Sequence, residues 1–209
     1  MAVSGRSTLR NLFDDSPTPH FAHPPRTHHR DFYVATDGSY RRDRGGLGVV
    51  IETRDGERVA RIAVPDRVPD NNVAEYRALH LGLDVLAARA PPAARVGILI
   101  DHDTLATNVN YAVLAASHPD WRPPREMTIP AGSEHHWRGI RARIAGFGEL
   151  RAARIDSRDN PAHSLANSPE EYAHLRTRPE RCVLPDPPST ATQSPQIPPP
   201  SRFERRAGD

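Results

Sequence analysis

Residues 31–64 read DFYVATDGSYRRDRGGLGVVIETRDGERVARIAV, and this stretch decides the fold. Phe32-Tyr33-Val34-Ala35-Thr36 is a run of β-branched and aromatic residues, which fit a pleated, half-buried surface. Gly45-Gly46 precedes a second such run at 47–53. Asp55-Gly56, a pair suited to a tight hairpin, separates that run from a third at 58–64. The spacing predicts a three-strand antiparallel meander, interrupted by the carboxylate of Asp37 directly after the first apolar run.

The pattern changes period downstream. Apolar residues at 76, 79, 83 and 86, with 74, 78, 81 and 85 beside them, predict a helix over 71–90 with a wide buried face, stopped by Pro91-Pro92. Val96-Gly97-Ile98-Leu99-Ile100 is nearly continuous in apolar character and ends in Asp101, as expected of a central parallel strand covered on both faces. A second helix is predicted over 103–116, with Asp103 as its N-cap. Four prolines make 118–132 a loop insertion. A third helix over 133–147 carries Trp137, Ile140, Ile144 and Phe147 at 3-4-3 spacing, and a last strand follows at 150–155. Asn160-Pro161 predicts a final helix, with an N-cap residue followed by proline at the first helical position. The order βββαβααβα predicts an α/β fold. Its five-stranded mixed sheet has three antiparallel strands, then two parallel, and helices on both faces.

Composition divides the chain. Of 22 prolines in 209 residues, four fall in 1–30 and nine in 168–209. The expectation is a disordered arm over 1–30, a folded domain over 31–175 and a proline-rich disordered tail over 176–209. Residues 31–167 carry 18 arginines against 18 acids, so the net charge of +2 gives the domain no bulk attraction for a polyanion. Any nucleic-acid partner must be recognised by a site. The lone Cys182 argues against a disulfide framework, and no apolar run reaches the length of a membrane span. The protein is therefore expected to be soluble and cytoplasmic, with no membrane partner.

In mixed sheets of this kind, ligands collect at the carboxyl ends of parallel strands. Asp37 interrupting the first strand, Glu75 in the first turn of the first helix and Asp101 ending the fourth strand are predicted to meet there. A carboxylate within apolar structure is costly unless it is paired or metal-bound, and a set of three suits hard divalent cations. Each acid alone has a simpler reading, as a hydrogen-bonded strand end or a helix-dipole charge. The three together do not.

Thr36-Asp37-Gly38-Ser39-Tyr40, the run from Asn71 to Leu79 (NNVAEYRAL) and Ile98-Leu99-Ile100-Asp101 resemble the first three motifs of type 1 ribonuclease H, especially its short archaeal-style members. Asn108 and Asn110 follow Asp101 where that family often has Gln and Asn. The resemblance covers about 31–167. It implies an endonuclease that hydrolyses the RNA strand of an RNA/DNA hybrid with two divalent cations, Mg²⁺ or Mn²⁺. It implies Asp37 as the ligand shared by both ions, Glu75 and Asp101 as further ligands, and Gly38, Ser39, Asn71 and Asn72 as the substrate-binding positions. Family members close the site with an acid on the last helix, where this chain reads Asn160-Pro161-Ala162-His163. His163 thus takes the fourth ligand position, three residues into the predicted helix, where the macrodipole disfavours imidazolium and an imidazole ligand suits Mn²⁺ better than Mg²⁺. Asp159 is the acid that could substitute for it. The alternative is a catalytically weakened domain of the same fold that binds nucleic acid or protein without cutting. Trp137 is expected in the core, with Arg138, Arg141 and Arg143 on a solvated face; His80, His102, His118, His135 and His136 show no ligand spacing.

Overall fold

The computed structural model describes residues 7–16, 30–42 and 44–172; the expected tail from 176 to 209 lies outside the described residues. The elements in chain order are α1 (Leu9–Asp14), β1 (Phe32–Arg41), β2 (Arg44–Thr53), β3 (Arg58–Asp66), α2 (Asn71–Ala87), β4 (Arg95–Ile100), α3 (Asp103–Ser117), α4 (Glu134–Gly146), β5 (Glu149–Arg154), α5 (His163–Asn167) and α6 (Pro169–Tyr172). The strands form one sheet in the order β3-β2-β1-β4-β5. The three meander strands pair antiparallel, and β4 and β5 join parallel. This is the mixed sheet that the sequence predicts.

Side chains alternate between the faces of each strand, so one strand feeds two cores. Val34, Val49, Ile51, Ile98 and Ile100 pack with α2, α3 and α4 through Leu79, Leu83, Leu105 and Ile140. On the opposite face, Tyr33, Ala35, Val50 and Leu99 pack with Ala162 and Leu165 of the α5 region. No helix among the described residues is long and apolar enough to cross a membrane.

The second face also holds Leu9, which corrects the expectation that 1–30 is a disordered arm throughout. Residues 9–14 form α1, capped by the Thr8 hydroxyl, with Leu9 only 1% exposed. The Leu9 N–H donates to the buried Glu52 carboxylate at 2.9 Å, and Phe13 stacks edge-on to Tyr33. An isolated six-residue helix is unstable in water, so these tertiary contacts hold it.

Three further expectations need correction. His102, not Asp103, is the N-cap of α3: its Nδ1 accepts the Leu105 N–H. The helix expected to start at Pro161 starts at His163, because the Asn160 side chain closes a turn by accepting the Ala162 N–H at 3.0 Å. Arg143 does not lie on a solvated face. It is 3% exposed and pairs at 2.6 Å with the equally buried Asp84, whose other oxygen faces His80 at 3.5 Å. The α2–α4 interface is therefore ionic at its centre, while Trp137 packs edge-on against Tyr76 as expected. Asn108 and Asn110 act internally. Asn108 donates to Tyr76 and to the Thr128 carbonyl, and Asn110 both donates to and accepts from the Ala152 backbone.

Candidate active site

The β1–β4 register pairs Ala35 with Leu99, an offset of 64 residues; carried two residues further, it sets Asp37 level with Asp101. Asp37 is 3% exposed, and Asp101, just past the end of β4, is half-buried. The third acid comes from α2. Gly38 faces its first turns so closely that a Cβ there would stand 2.2 Å from the Ala74 carbonyl carbon and 2.4 Å from the Glu75 nitrogen, so no other residue permits this approach. Glu75 is 3% exposed, and its carboxylate is held by the Gly38 backbone N–H.

His163, 48% exposed at the start of α5, brings its Nδ1 to 3.3 Å from Asp37 Oδ2. Ligand atoms of Asp37, Asp101 and His163 lie within 4.8 Å of one another. Glu75 is outside that set, yet it feels the same charges. Burial first, then Asp37 and Asp101, push its carboxyl well above the usual range. Burial first, then repulsion and hydrogen bonding with Asp101, push Asp37 up to about 8.

The residues present fit divalent cations. Asp37 Oδ2, Glu75 Oε2 and Asp101 Oδ1 are each buried without a hydrogen-bond donor. Buried oxygens of this kind are normally satisfied, and neighbouring unsatisfied carboxylate oxygens are what hard cations satisfy. The set is three carboxylates and one imidazole.

Asn160 ties the two halves of the site together, since its Nδ2 donates to the Thr36 carbonyl at 2.9 Å, one residue before Asp37. Asn167, one turn beyond His163, donates through Nδ2 to the His163 carbonyl at 3.0 Å and lies 3.1 Å from its Nε2. Arg41, which can only donate, reaches Asn167 Oδ1 at 3.0 Å and so fixes which end of the amide faces the imidazole. Asp159 is exposed on a turn and is not among the clustered ligands.

The four expected substrate-binding positions divide. Asn71 and Asn72 are exposed at the start of α2. Ser39 is buried, and its hydroxyl donates to the Ala166 carbonyl at 2.5 Å, joining β1 to α5. Gly38 serves the close approach already described. His102, Asn160 and Asn167 are the residues whose positioning roles the sequence reading missed. For Asn167 the i,i+4 spacing from His163 was a readable signal. For His102 it was the position between a strand-ending acid and a helix.

Comparison with solved structures identifies the architecture. The chain superposes on RNase H1 from the halophilic archaeon Halobacterium salinarum NRC-1 with a TM-score of 0.52 at 19% identity, over 68% of this chain and 98% of that one. The N-terminal RNase H domain of a Mycobacterium tuberculosis protein gives 0.52 at 22% identity, over 68% and 94%. The foamy viral protease-reverse transcriptase, solved in complex with an RNA/DNA hybrid, gives 0.51 at 14% identity, over 74% of this chain and 22% of that one. No protein-family profile and no curated protein sequence matches the chain. The fold is the ribonuclease H-like fold.

Proposed function

We propose that this ribonuclease H-like chain is a divalent-metal-dependent endonuclease that hydrolyses the RNA strand of RNA/DNA hybrids by a two-metal-ion mechanism. The observation that carries the reading is that Asp37 within β1, Asp101 just past the end of β4 and Glu75 of α2 each keep a buried oxygen lacking a donor while their carboxyls repel one another. The RNase H1 proteins of the same fold, and the related viral protein bound to a hybrid, support the choice of substrate.

Asp37 would be the ligand shared by both ions, with Glu75, Asp101 and His163 as the further ligands. When bound, Mg²⁺ or Mn²⁺ ions stabilise the charge that develops on the attacking and leaving oxygens of an in-line phosphoryl displacement. The protein holds four ligands from four elements in fixed relation. Gly38 lets α2 approach β1, Ser39 and Asn160 fasten the α5 region to β1, and Asn167 braces His163. Asn71 and Asn72 offer exposed amides to the minor groove of a bound hybrid, where 2′-hydroxyls distinguish RNA from DNA. The near-neutral domain suits this reading, because such recognition rests on placed polar groups.

The test is cleavage of a labelled RNA/DNA hybrid beside single-stranded RNA, duplex RNA and duplex DNA, each with Mg²⁺, Mn²⁺ or chelator. Metal-dependent cutting of the RNA strand in the hybrid alone is expected; equal cutting of all four substrates would contradict the assignment. A second reading, hybrid binding without cutting, is favoured by one observation. The fourth group is a half-exposed imidazole on a five-residue helix. Tight binding of uncut hybrid in either metal would establish it.

A further inference from the structure

His102 occupies the junction between two elements that supply acids to the site. It follows Asp101 at the end of β4, caps α3, and reaches α2 one turn before Glu75. Its Nδ1 accepts the Leu105 backbone N–H at 3.2 Å. A ring nitrogen that accepts such a bond carries no proton, so in the neutral ring the proton is on Nε2. Nε2 lies 3.0 Å from Asn72 Oδ1, and the bond therefore runs from Nε2–H to that oxygen. Turning the ring over would break both bonds. The edge of Tyr76 closes one side, with ring centroids 6.5 Å apart.

This arrangement decides the polarity of Asn72. An Asn side chain offers an acceptor and two donors, and either end can face a ligand when nothing fixes the amide. Here the oxygen accepts from His102, which leaves the two Nδ2 donors of an exposed side chain for a ligand. Capping alone does not explain the choice of histidine. Ser, Thr, Asp and Asn are the favoured N-caps, and none of them spans from α3 to Asn72.

We infer that His102 is a positioning residue that holds Asn72 with its Nδ2 donors available to bound nucleic acid. The groups it would meet in the minor groove are acceptors: purine N3, pyrimidine O2 and the 2′-hydroxyl oxygen. N3 and O2 occur at every base pair, so the contact is independent of sequence. The inference rests on the hybrid-nuclease reading and adds to it how one amide of the site is oriented.

His102→Asn tests it without removing the cap, because the Asn oxygen still accepts the Leu105 N–H but is too short to reach Asn72. The variant should keep the parent melting temperature and kcat while KM for the hybrid rises about 3- to 10-fold, the effect of losing one ordered hydrogen bond. Asn72→Ala should raise KM similarly, and adding His102→Asn to it should change nothing further. Nitrogen-15 spectra of the metal-free parent protein should show His102 protonated at Nε2. An Nδ1-protonated ring, an unchanged KM in His102→Asn, or independent effects of the two substitutions would overturn the inference while leaving a cutting parent as a nuclease. A parent that neither binds nor cuts the hybrid overturns the nuclease reading, and the proposed role of Asn72 falls with it.

Discussion

Asp37 Oδ2 and His163 Nδ1 lie 3.3 Å apart, so the one imidazole of the site faces the most central of its three acids. A fourth acid in that place would add negative charge beside Asp37 and Asp101; an imidazole adds a ligand without it. His163→Asp should therefore lower the Mg²⁺ concentration needed for half-maximal cleavage and reduce the advantage of Mn²⁺. His163→Ala should raise the requirement for both ions by on the order of tenfold, equivalent to about 1.4 kcal/mol of binding. Calorimetric titration of metal into the parent and both variants checks this, and three identical isotherms would remove His163 from the ligand set.

The clustered acids also make the metal-free protein pH-sensitive. Burial and Asp101 raise the Asp37 carboxyl from its ordinary 3.8 to about 8, so between those values the folded protein holds a proton that the unfolded chain has lost. Stability contributed by this group is present in full below pH 4 and declines as pH rises toward 8, opposite to a salt-bridged carboxylate. In chelator, Asp37→Asn should flatten that decline and stabilise the protein at pH 8 by about 1 kcal/mol or more. Divalent metal should restore the parent's stability most strongly at the alkaline end, where no proton competes for the site. Melting temperatures from pH 5 to 8, with and without metal, measure both effects.

The three acids could be singled out because the local sequence around each is distinctive. Asp37 interrupts β1 after its apolar run, Asp101 follows the end of β4, and Glu75 lies in the second turn of a strongly periodic helix. The α1 helix was not legible. Six residues with one deeply buried apolar side chain show no period, and the partner of the Leu9 N–H is Glu52, 43 positions away. The bond of Ser39 was hidden for a similar reason, since T-D-G-S does not reveal that the hydroxyl donates to Ala166 of α5. The buried Asp84–Arg143 pair joins two helices that read as ordinary amphipathic segments, and only their packing brings the charges together. Asn160 was misread as the N-cap of a helix beginning at Pro161: its amide closes a turn onto the Ala162 N–H and donates to the Thr36 carbonyl, and Ala162 stands at the N-cap of α5.

Asn160 should matter to both stability and metal binding. Asn160→Ala strips partners from the buried Thr36 carbonyl and the Ala162 N–H and should destabilise the protein by about 1–3 kcal/mol. His163 should lose its fixed distance from Asp37, so metal affinity falls together with stability. Asn160→Asp, which retains the acceptor for Ala162 but not the donor for Thr36, should fall between them in denaturant unfolding.

The N-terminal segment should be needed for the full stability of the domain. Removing residues 1–16 uncovers Tyr33 and leaves Glu52 without the Leu9 N–H, although Glu52 keeps its pairing with Arg58 at 3.3 Å. Leu9→Ala alone should cost about 2–5 kcal/mol, the range for emptying a buried leucine site. Urea unfolding of the full chain, Leu9→Ala and the truncated chain checks this. An unchanged midpoint in the truncated chain would show that α1 rests on the sheet without stabilising it.

On the two-metal reading, Asp37 joins the metal ligands into one catalytic centre. The most direct measurement is single-turnover cleavage of an RNA/DNA hybrid by the parent and Asp37→Asn, in Mg²⁺ and in Mn²⁺, with metal binding followed on the same preparations. Asp37→Asn should remain folded, bind metal more weakly and lose cleavage by at least about a thousandfold, roughly 4 kcal/mol of transition-state stabilisation. A folded Asp37→Asn protein that cuts the hybrid at the parent rate would contradict the account.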